Sequence, residues 1–315
     1  MKSRIHPTHK TQYRIKNWAK YEQGLIQRGD ITIWLTPEAI SAWSPKRGGK
    51  PGGQRKFTDL AIETALTLRL VFGLPLRQAE GFLRSLFGLM ELELEVPDHT
   101  TLSRRSKGLG VRLGGSTSSG PIHLIVDSTG LSIVGEGEWA AAKHGGKGRR
   151  GWKKLHLGVD GAGVIVAQSL TDGSAHDASE GLGLLASVNR EVATLIGDAA
   201  YDSVAIYRAA SARGAAVVVP PSKVAAKPRR RVPKSAERDR TIKRVREVGR
   251  RRWKKESGYH AQGRVENTFF RLKSIVGGRL RARHATAQAT EVLIACNILN
   301  RMFGIGRPRS VAIPG

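Results

Sequence analysis

The chain has 315 residues, of which 40% are hydrophobic, enough for a buried main domain and one or two smaller units. It carries 53 Lys and Arg against 26 Asp and Glu, a formal net charge of +27 that favours a polyanionic partner, above all nucleic acid, over a merely solvated basic surface. The single cysteine, Cys296, excludes an intrachain disulfide and a cysteine zinc site, and no apolar run is long enough to predict a membrane span.

The N-terminal third predicts a basic arm followed by a helical unit. Residues 1–16 are polar and basic, so we expect a mobile arm that contacts phosphates. Residues 17–107 form the predicted helical N-terminal domain. Within it, Thr58 is expected to cap a helix that ends before Gly73, and a second amphipathic helix follows.

A third short helix is predicted over residues 100–107, and its C-terminal half is basic. Three short helices with a basic last one resemble a helix-turn-helix, in which Arg104 and Arg105 would face DNA. A plain helical packing unit with a solvated third helix is the alternative.

The pattern changes after a glycine- and serine-rich linker, residues 108–120. Residues 121–221 predict three strands, expected to be antiparallel, then helix, strand, helix and strand, which is a mixed α/β sheet with crossover helices. Residues 222–257 hold sixteen Lys and Arg against four Asp and Glu and form a basic insertion whose second half is helical. Residues 258–315 complete the domain with one helix over 259–276 and a final apolar helix.

Two carboxylates follow apolar strands directly. They are Asp127, after His-Leu-Ile-Val, and Asp198, after Thr-Leu-Ile-Gly. Ligand sites in α/β sheets favour the carboxyl ends of strands, so adjacent strands would bring both acids to one hard cation. Magnesium suits such a site because it binds oxygen ligands and is held by one or two carboxylates together with substrate phosphate.

A third acid for a second ion is best sought on the helix after the basic insertion. Glu266 is the only acid between residues 257 and 290. The spacing of Tyr259, Gln262, Glu266 and Lys273 places them on one helical face, which would point a carboxylate at the metals and a lysine at a phosphate. A solvated helix glutamate is the alternative reading of Glu266.

Six segments together resemble a known family. They contain Val126-Asp127-Ser128-Thr129, Gly135 to Trp139, Lys143-His144-Gly145, Trp152 to Leu157, Gly197 to Asp202, and Tyr259 to Lys273. In this order they are similar to the DDE transposases of bacterial insertion sequences, in the family numbered five and its close relatives. The resemblance runs from about residue 18 to residue 301.

The resemblance implies a ribonuclease H-like catalytic domain in which Asp127, Asp198 and Glu266 are the catalytic and metal-binding acids. The family signature around the last acid joins a tyrosine, an arginine, the glutamate and a lysine. Tyr259, Glu266 and Lys273 match it, but the arginine position holds Gln262 and an arginine stands at Arg264 instead. The phosphate contact of that arginine is therefore in question.

The resemblance also implies the reaction. The enzyme would bind the terminal inverted repeats of an insertion sequence, cleave DNA with metal-activated water and join the freed 3′ ends to target DNA. Two Mg²⁺ ions are the implied cofactor, with Mn²⁺ able to substitute. A homodimer would hold the two transposon ends in a synaptic complex, and we expect a bacterial cytoplasmic, nucleoid-associated location.

Further DNA contacts are predicted in basic segments. Lys147, Arg149 and Arg150 lie in a glycine-rich stretch expected to be a mobile hairpin that touches DNA. Trp253, among basic neighbours, either stacks on an unpaired base or packs the insertion onto the main domain. The apolar helix over residues 285–302 is either a dimer contact or part of the core.

Four other acids rank below the triad. Asp160 is expected in a turn, Asp202 as the cap of the following helix and Asp177 at a helix start, while Asp172 ends the third strand. Two other functions are open: a non-catalytic DNA-binding protein derived from such an enzyme, and a stand-alone nuclease.

Overall fold

The computed structural model describes residues 13–46, 55–114, 119–133, 152–223, 225 and 235–313. The predicted hairpin with Lys147, Arg149 and Arg150 lies outside these ranges, as do residues 1–12 of the predicted arm and most of the first half of the basic insertion.

The N-terminal unit is helical, as predicted. Its helices in the described ranges are α1 (Trp18–Gln27), α2 (Ile31–Trp34), α3 (Pro37–Ser41), α4 (Asp59–Val71), α5 (Leu76–Leu89) and α6 (His99–Arg105). Thr58 caps α4 as expected, because its hydroxyl accepts the Ala61 N–H at 3.1 Å. Asp98 caps α6 by accepting the N–H groups of Thr100 and Thr101, each at 2.8 Å. The Thr100 hydroxyl, which also donates to Asp98, and these N–H groups lower the pKa of Asp98 to about 2.

The catalytic region is a mixed sheet with helices on both faces. Its strands are β2 (Ile122–Ile133), β3 (Trp152–Val159), β4 (Ile165–Asp172), β5 (Val192–Ile196), β6 (Ala216–Val218) and β7 (Arg279–Leu280). The strand order is β4-β3-β2-β5-β6, with β7 paired to the far end of β2. The first three strands are antiparallel, as predicted, and β5 runs parallel to β2. This is the ribonuclease H-like α/β arrangement that the sequence predicts.

Five helices accompany these strands in the described ranges. They are α7 (Asp177–Ser187), α8 (Val204–Ala212), α9 (Ala236–Glu256), α10 (Gly263–Ile275) and α11 (Ala285–Ile305). Alternate residues of β2 point to opposite faces, so Leu124 and Val126 pack with α7 and α8, whereas Ile125 and Leu131 pack with α10 and α11. The sheet therefore has an α7 side, covered by α7 and α8, and an α10 side, covered by α10 and α11.

The final helix joins the two halves of the molecule. Ile294, Ile298 and Met302 of α11 enter the core of the N-terminal helices, while Cys296 and Leu299 pack under the sheet. The core alternative therefore holds for this helix, and Cys296 is fully buried. No helix in the described part of the chain is both long and apolar enough to cross a membrane.

Two local features differ from the sequence prediction. Residues Tyr13–Ile15 (β1), assigned to the mobile arm, pair antiparallel with Ser310–Ala312 (β8), since a long-range strand partner leaves no local signal. The predicted helix over 259–276 begins instead as the 3₁₀ turn Tyr259–Gln262, and α10 starts after it. Gly249 also breaks α9 with φ of 80°, a conformation that glycine adopts without strain.

Candidate active site

Asp127 and Asp198 lie side by side at one edge of the sheet. Ile125 of β2 pairs with Ile196 of β5 in a parallel register, so the residues two positions further on, Asp127 and Asp198, reach the same level. Asp198 comes directly after β5 and Asp127 lies within the longer β2. The sequence predicted both acids at strand ends, which is correct for Asp198 but wrong for Asp127, because β2 continues beyond it to Ile133. The parallel pairing brings the two acids together.

The loop that carries Asp198 depends on a close approach between a glycine and a tyrosine. The ring of Tyr201 is fully buried under the end of β5, and a Cβ on Gly197 would lie 2.9 Å from its Cδ2. Only glycine fits there without movement. Asp198 then caps the short turn Ala199–Tyr201 by accepting the Ala200 N–H at 2.9 Å, which leaves its other oxygen for a ligand.

Glu266 approaches from the α10 side. It lies in the first turn of α10, is solvent-exposed, and its charge acts on Asp127. Burial, together with the negative charges of Asp198, Glu266 and Asp177, raises the pKa of Asp127 to about 6, against the Ser128 N–H, which donates to Asp127 at 2.8 Å. The structure therefore brings the three predicted acids into one electrostatic cluster.

The cluster has no counter-ion in the described residues. None of Asp127, Asp198 and Glu266 forms a salt bridge there. Like charges held close together repel each other, and a bound cation would offset this repulsion. Such a site suits a divalent cation.

The geometry fits a hydrated cation better than a closed cage. Across the described ranges, no group of three or more His, Cys, Asp or Glu side chains is close enough to enclose a metal ion by itself. Magnesium does not need one, because it keeps several waters and is held by one or two carboxylates and substrate phosphate. Asp127 and Asp198 provide such a pair.

Gln262 occupies the signature position where the family has arginine, and it is buried. Only 3% of it is exposed, and its Nε2 donates to the Val126 carbonyl at 3.2 Å. This burial rules out the predicted DNA contact. Gln262 instead ties the start of α10 to the strand segment beside Asp127, which fixes the approach of Glu266.

Arg264 does not take the place of Gln262. Its guanidinium donates to the Gly161 carbonyl in the turn after β3, and it lies near His123 at the start of β2. Lys273 is exposed in the last turn of α10, seven residues and about 10 Å from Glu266 along the axis.

Tyr259 stands next to the acids, and Trp253 packs behind it. Burial raises the pKa of Tyr259, and the charges of Asp198, Glu266 and Asp127 raise it further. The Trp253 ring lies 6.1 Å from the Tyr259 ring, and Trp253 is only 5% exposed. The packing alternative therefore replaces base stacking for Trp253. Lys254 Nζ lies 4.5 Å from the Tyr259 ring centre, a cation–π contact.

In α6 the two candidate DNA contacts differ. Arg104 is exposed. Arg105 was expected to face DNA, but its guanidinium bonds the Phe57 carbonyl at 3.1 Å and also pairs with Asp59 at the start of α4. The prediction was wrong for Arg105, because a partner 48 residues away holds the side chain against the helical unit.

The α7 side of the sheet holds acids that sequence reasoning ranked low. Asp177 starts α7, as predicted, but it also pairs with Lys154 at 2.7 Å and lies 3.5 Å from buried His156. The Ser128 hydroxyl also lowers the pKa of Asp177. The sequence signal was present, since strand alternation puts Lys154 and His156 on one face of β3 as polar residues in a buried strand.

The remaining acids have structural partners. Asp160 is a turn residue, as expected, and accepts the N–H groups of Ala162 and Val164 at 2.8 and 2.9 Å. Asp202 was expected to cap α8, but Ser203 is the cap and Asp202 forms a two-bond ion pair with Arg238 at 2.7 and 2.9 Å.

Comparison with known proteins shows the family of this chain. A family profile described as a transposase DDE domain matches residues 118–301, more than half of the chain, and a second profile of the same description matches residues 26–136. Among solved structures, the chain is similar to a piggyBac transposase in a synaptic complex with hairpin DNA, at 11% identity over 92% of this chain and 76% of that chain. The TM-score is 0.37, so the family assignment rests on the profiles. With its sheet and its clustered acids, this chain belongs to the DDE transposase family.

Proposed function

We propose that this enzyme is an insertion-sequence transposase of the family-five group, acting on the terminal inverted repeats of its own element. Its catalytic acids are Asp127, Asp198 and Glu266. The observation that supports this most is the cluster of three unneutralised carboxylates, two of them level on adjacent parallel strands. Magnesium is the proposed cation.

Each part of the site has a separate task in the proposal. Asp127 and Asp198 hold the cations and Glu266 completes the set from α10. Two cations, when bound, would activate the attacking oxygen and stabilise the leaving oxygen of an in-line displacement. Lys273 and Tyr259 position the scissile phosphate, and the exposed basic face of α9 guides the duplex. A single set of acids serves both cleavage and 3′-end joining, because both are phosphoryl transfers.

The remaining proposed DNA contacts are basic side chains, and for three of them the proposal rests on the sequence alone. They are Arg104 and Arg264, together with Lys147, Arg149 and Arg150, which lie outside the described residues. A homodimer is proposed because transposon ends come in pairs and one copy has one acid cluster.

The test removes each acid while keeping its shape. Asp127→Asn, Asp198→Asn and Glu266→Gln should each reduce cleavage of a labelled inverted-repeat duplex by on the order of 10³-fold or more while leaving end binding intact. Asp172→Asn is the matched control, because Asp172 also follows a strand but its carboxylate is 80% exposed. An acid whose loss leaves cleavage unchanged has been wrongly assigned.

Two further measurements separate the competing functions. A pre-cleaved 3′ end offered with an intact plasmid should be joined to it by the wild type, whereas a stand-alone nuclease never joins the two. A protein that binds ends but neither cleaves nor joins them in Mg²⁺ or Mn²⁺ would be a non-catalytic derivative.

A further inference from the structure

A cavity of about 320 Å³ lies between the N-terminal helices and the start of α11. Leu66, Leu70 and Ile294 form its apolar wall, and α4, α6 and the segment before α11 close around it. It lies away from the acid cluster, so the proposed cleavage chemistry gives it no role.

Arg69 of α4 lines this cavity and is the unusual residue in it. It is 8% exposed, and no hydrogen bond or salt bridge from its guanidinium occurs among the described residues. Its Nε–H is buried and has no acceptor among the described residues, and burying a donor without an acceptor is unfavourable. Burial lowers the pKa of Arg69, against the negative charge of Glu291, which raises it. An acceptor supplied from outside the protein would resolve the imbalance.

The rest of the lining is also suited to an anion. Arg69, Lys107, Arg281 and Arg283 line the cavity against one acid, Glu291, whose carboxylate already accepts the N–H groups of Arg281 and Ala282 at 2.9 and 2.8 Å. His284 precedes α11 without capping it by a side-chain bond, so the first N–H groups of this 21-residue helix face the same region.

The cavity lies on a path between the two halves of the molecule. A groove beside it shares Ser103 and Lys107 with it and adds Arg77 and Arg104. On the other side, Arg281 also lines a groove with Arg279 and Ser132, at the end of β2. Basic side chains therefore run from α6 through the cavity to the strand that carries Asp127.

We propose that this cavity binds one phosphate group of the DNA backbone, with Arg69 as its buried contact. The bound phosphate would fix the duplex where the helical unit meets the catalytic sheet. The choice of DNA as the source of the phosphate rests on the proposed function, whereas the anion site itself rests on the Arg69 geometry.

The first experiment measures melting of the DNA-free protein in sodium phosphate and in sodium chloride of equal ionic strength. Phosphate should raise the Tm of the wild type by about 2–4 °C, and this gain should disappear in Arg69→Met. In chloride, Arg69→Met should melt at or above the wild-type temperature, since it removes a buried unpaired charge. Arg208→Met is the control, because Arg208 is an exposed arginine of α8 that lines none of the three grooves.

The second experiment measures duplex binding over a range of salt concentrations. Arg69→Met and Lys107→Gln should each bind several-fold more weakly and reduce the slope of log K against log salt by about 1, whereas Arg208→Met should not. Lys107 is exposed, so its variant tests the site without disturbing the core. A phosphate effect on Tm with an unchanged salt slope would show a free-anion pocket and overturn the DNA assignment; no phosphate effect would overturn the site.

Wild-type cleavage, measured alongside, keeps the two proposals separate. If the wild type cleaves its ends but melts at the same temperature in both salts, the cavity proposal alone is refuted. If the wild type never cleaves, but phosphate raises its Tm and does not raise that of Arg69→Met, the proposed function is refuted and the anion site stands.

Discussion

The acids on the two sides of strand β2 differ in whether a basic side chain pairs with them. On the α10 side, Asp127, Asp198 and Glu266 have no cationic partner among the described residues. On the α7 side, Asp177 pairs with Lys154 and Asp202 pairs with Arg238. Adjacent residues of one strand, Asp127 and Ser128, therefore face a charge excess on one side and a neutralised network on the other.

The difference separates acids that serve the fold from acids that serve a ligand. A carboxylate with a protein cation is already stabilised, so it has little affinity left for a metal. A carboxylate among like charges destabilises the empty site and gains most from an incoming cation. Such unbalanced groups are a mark of functional sites. The comparison predicts that neutralising changes act in opposite directions on the two sides.

The largest effect is expected where a buried pair on the α7 side is broken. Arg238→Ala should lower the free energy of unfolding by about 3–5 kcal/mol, because Asp202 has a side chain that is 0% exposed and would keep an uncompensated charge. Urea unfolding followed by circular dichroism measures this. Arg244→Ala on the same helix is the control, since its pair with Glu256 is exposed and should contribute little to stability. Equal losses in both variants would refute the partnered role of Asp202.

A smaller effect is expected from the contact that crosses the strand. Ser128 acts on both acids, because its hydroxyl lowers the pKa of Asp177 and its N–H donates to Asp127. Asp177→Asn should therefore reduce cleavage by about 10–100-fold and raise the Mg²⁺ concentration needed for half-maximal rate, as loss of an outer partner of a metal ligand does. Kinetics at varied Mg²⁺ measure both quantities.

Asp172→Asn serves as the control for this variant. Asp172 pairs with Lys153 on the neighbouring strand, and its carboxylate is 80% exposed, so its loss should change the rate less than about twofold. If Asp177→Asn lowers the rate but leaves the Mg²⁺ requirement unchanged, Asp177 supports only the fold.

How far the sequence predicts this molecule depends on how local each feature is. The strands, the Thr58 cap and the strand-end position of Asp198 follow from periodicity and local residue chemistry, whereas β2 continues past Asp127 through its pairing with β3. Glu266 depended on resemblance, because helix spacing alone does not distinguish a catalytic acid from a solvated one. Its approach to Asp127 is now supported by Gln262, which bonds the Val126 carbonyl 136 residues away.

The features that the sequence did not predict are set by distant partners. Arg105 is held by Phe57, and Asp202 is held by Arg238, 36 residues later. For Trp253 the sequence left base stacking and packing open, and its burial against the nearby Tyr259 decides for packing. For Arg105 and Asp202 an exposed-looking residue type gained a partner through chain folding. The sequence also did not predict the excess of acids on the α10 side, because that excess depends on where the fold places the basic side chains.

The smallest expected effect is a change in the stability of the metal-free protein, caused by the excess of acids on the α10 side. The folded pKa of Asp127 is about 6, above the usual 3.8, so the folded state binds the proton more tightly than the unfolded chain. Stability is then unaffected below pH 3.8 and falls as the pH rises from 3.8 to 6. Asp127→Asn should remove this penalty and stabilise the protein by about 1–2 kcal/mol at pH 7.5, allowing for partial screening, with no gain at pH 3.5.

Melting curves at the two pH values measure the gain, and Mg²⁺ gives the internal check. At pH 7.5 the cation should raise the Tm of the wild type more than that of Asp127→Asn, because it offsets the same repulsion that the substitution removes. Asp177→Asn should behave oppositely at pH 7.5 and lose stability, since the pKa of Asp177 is lowered by its Lys154 and Ser128 partners despite its burial. A loss of stability in both variants would mean that the two sides of β2 do not differ as their salt bridges indicate.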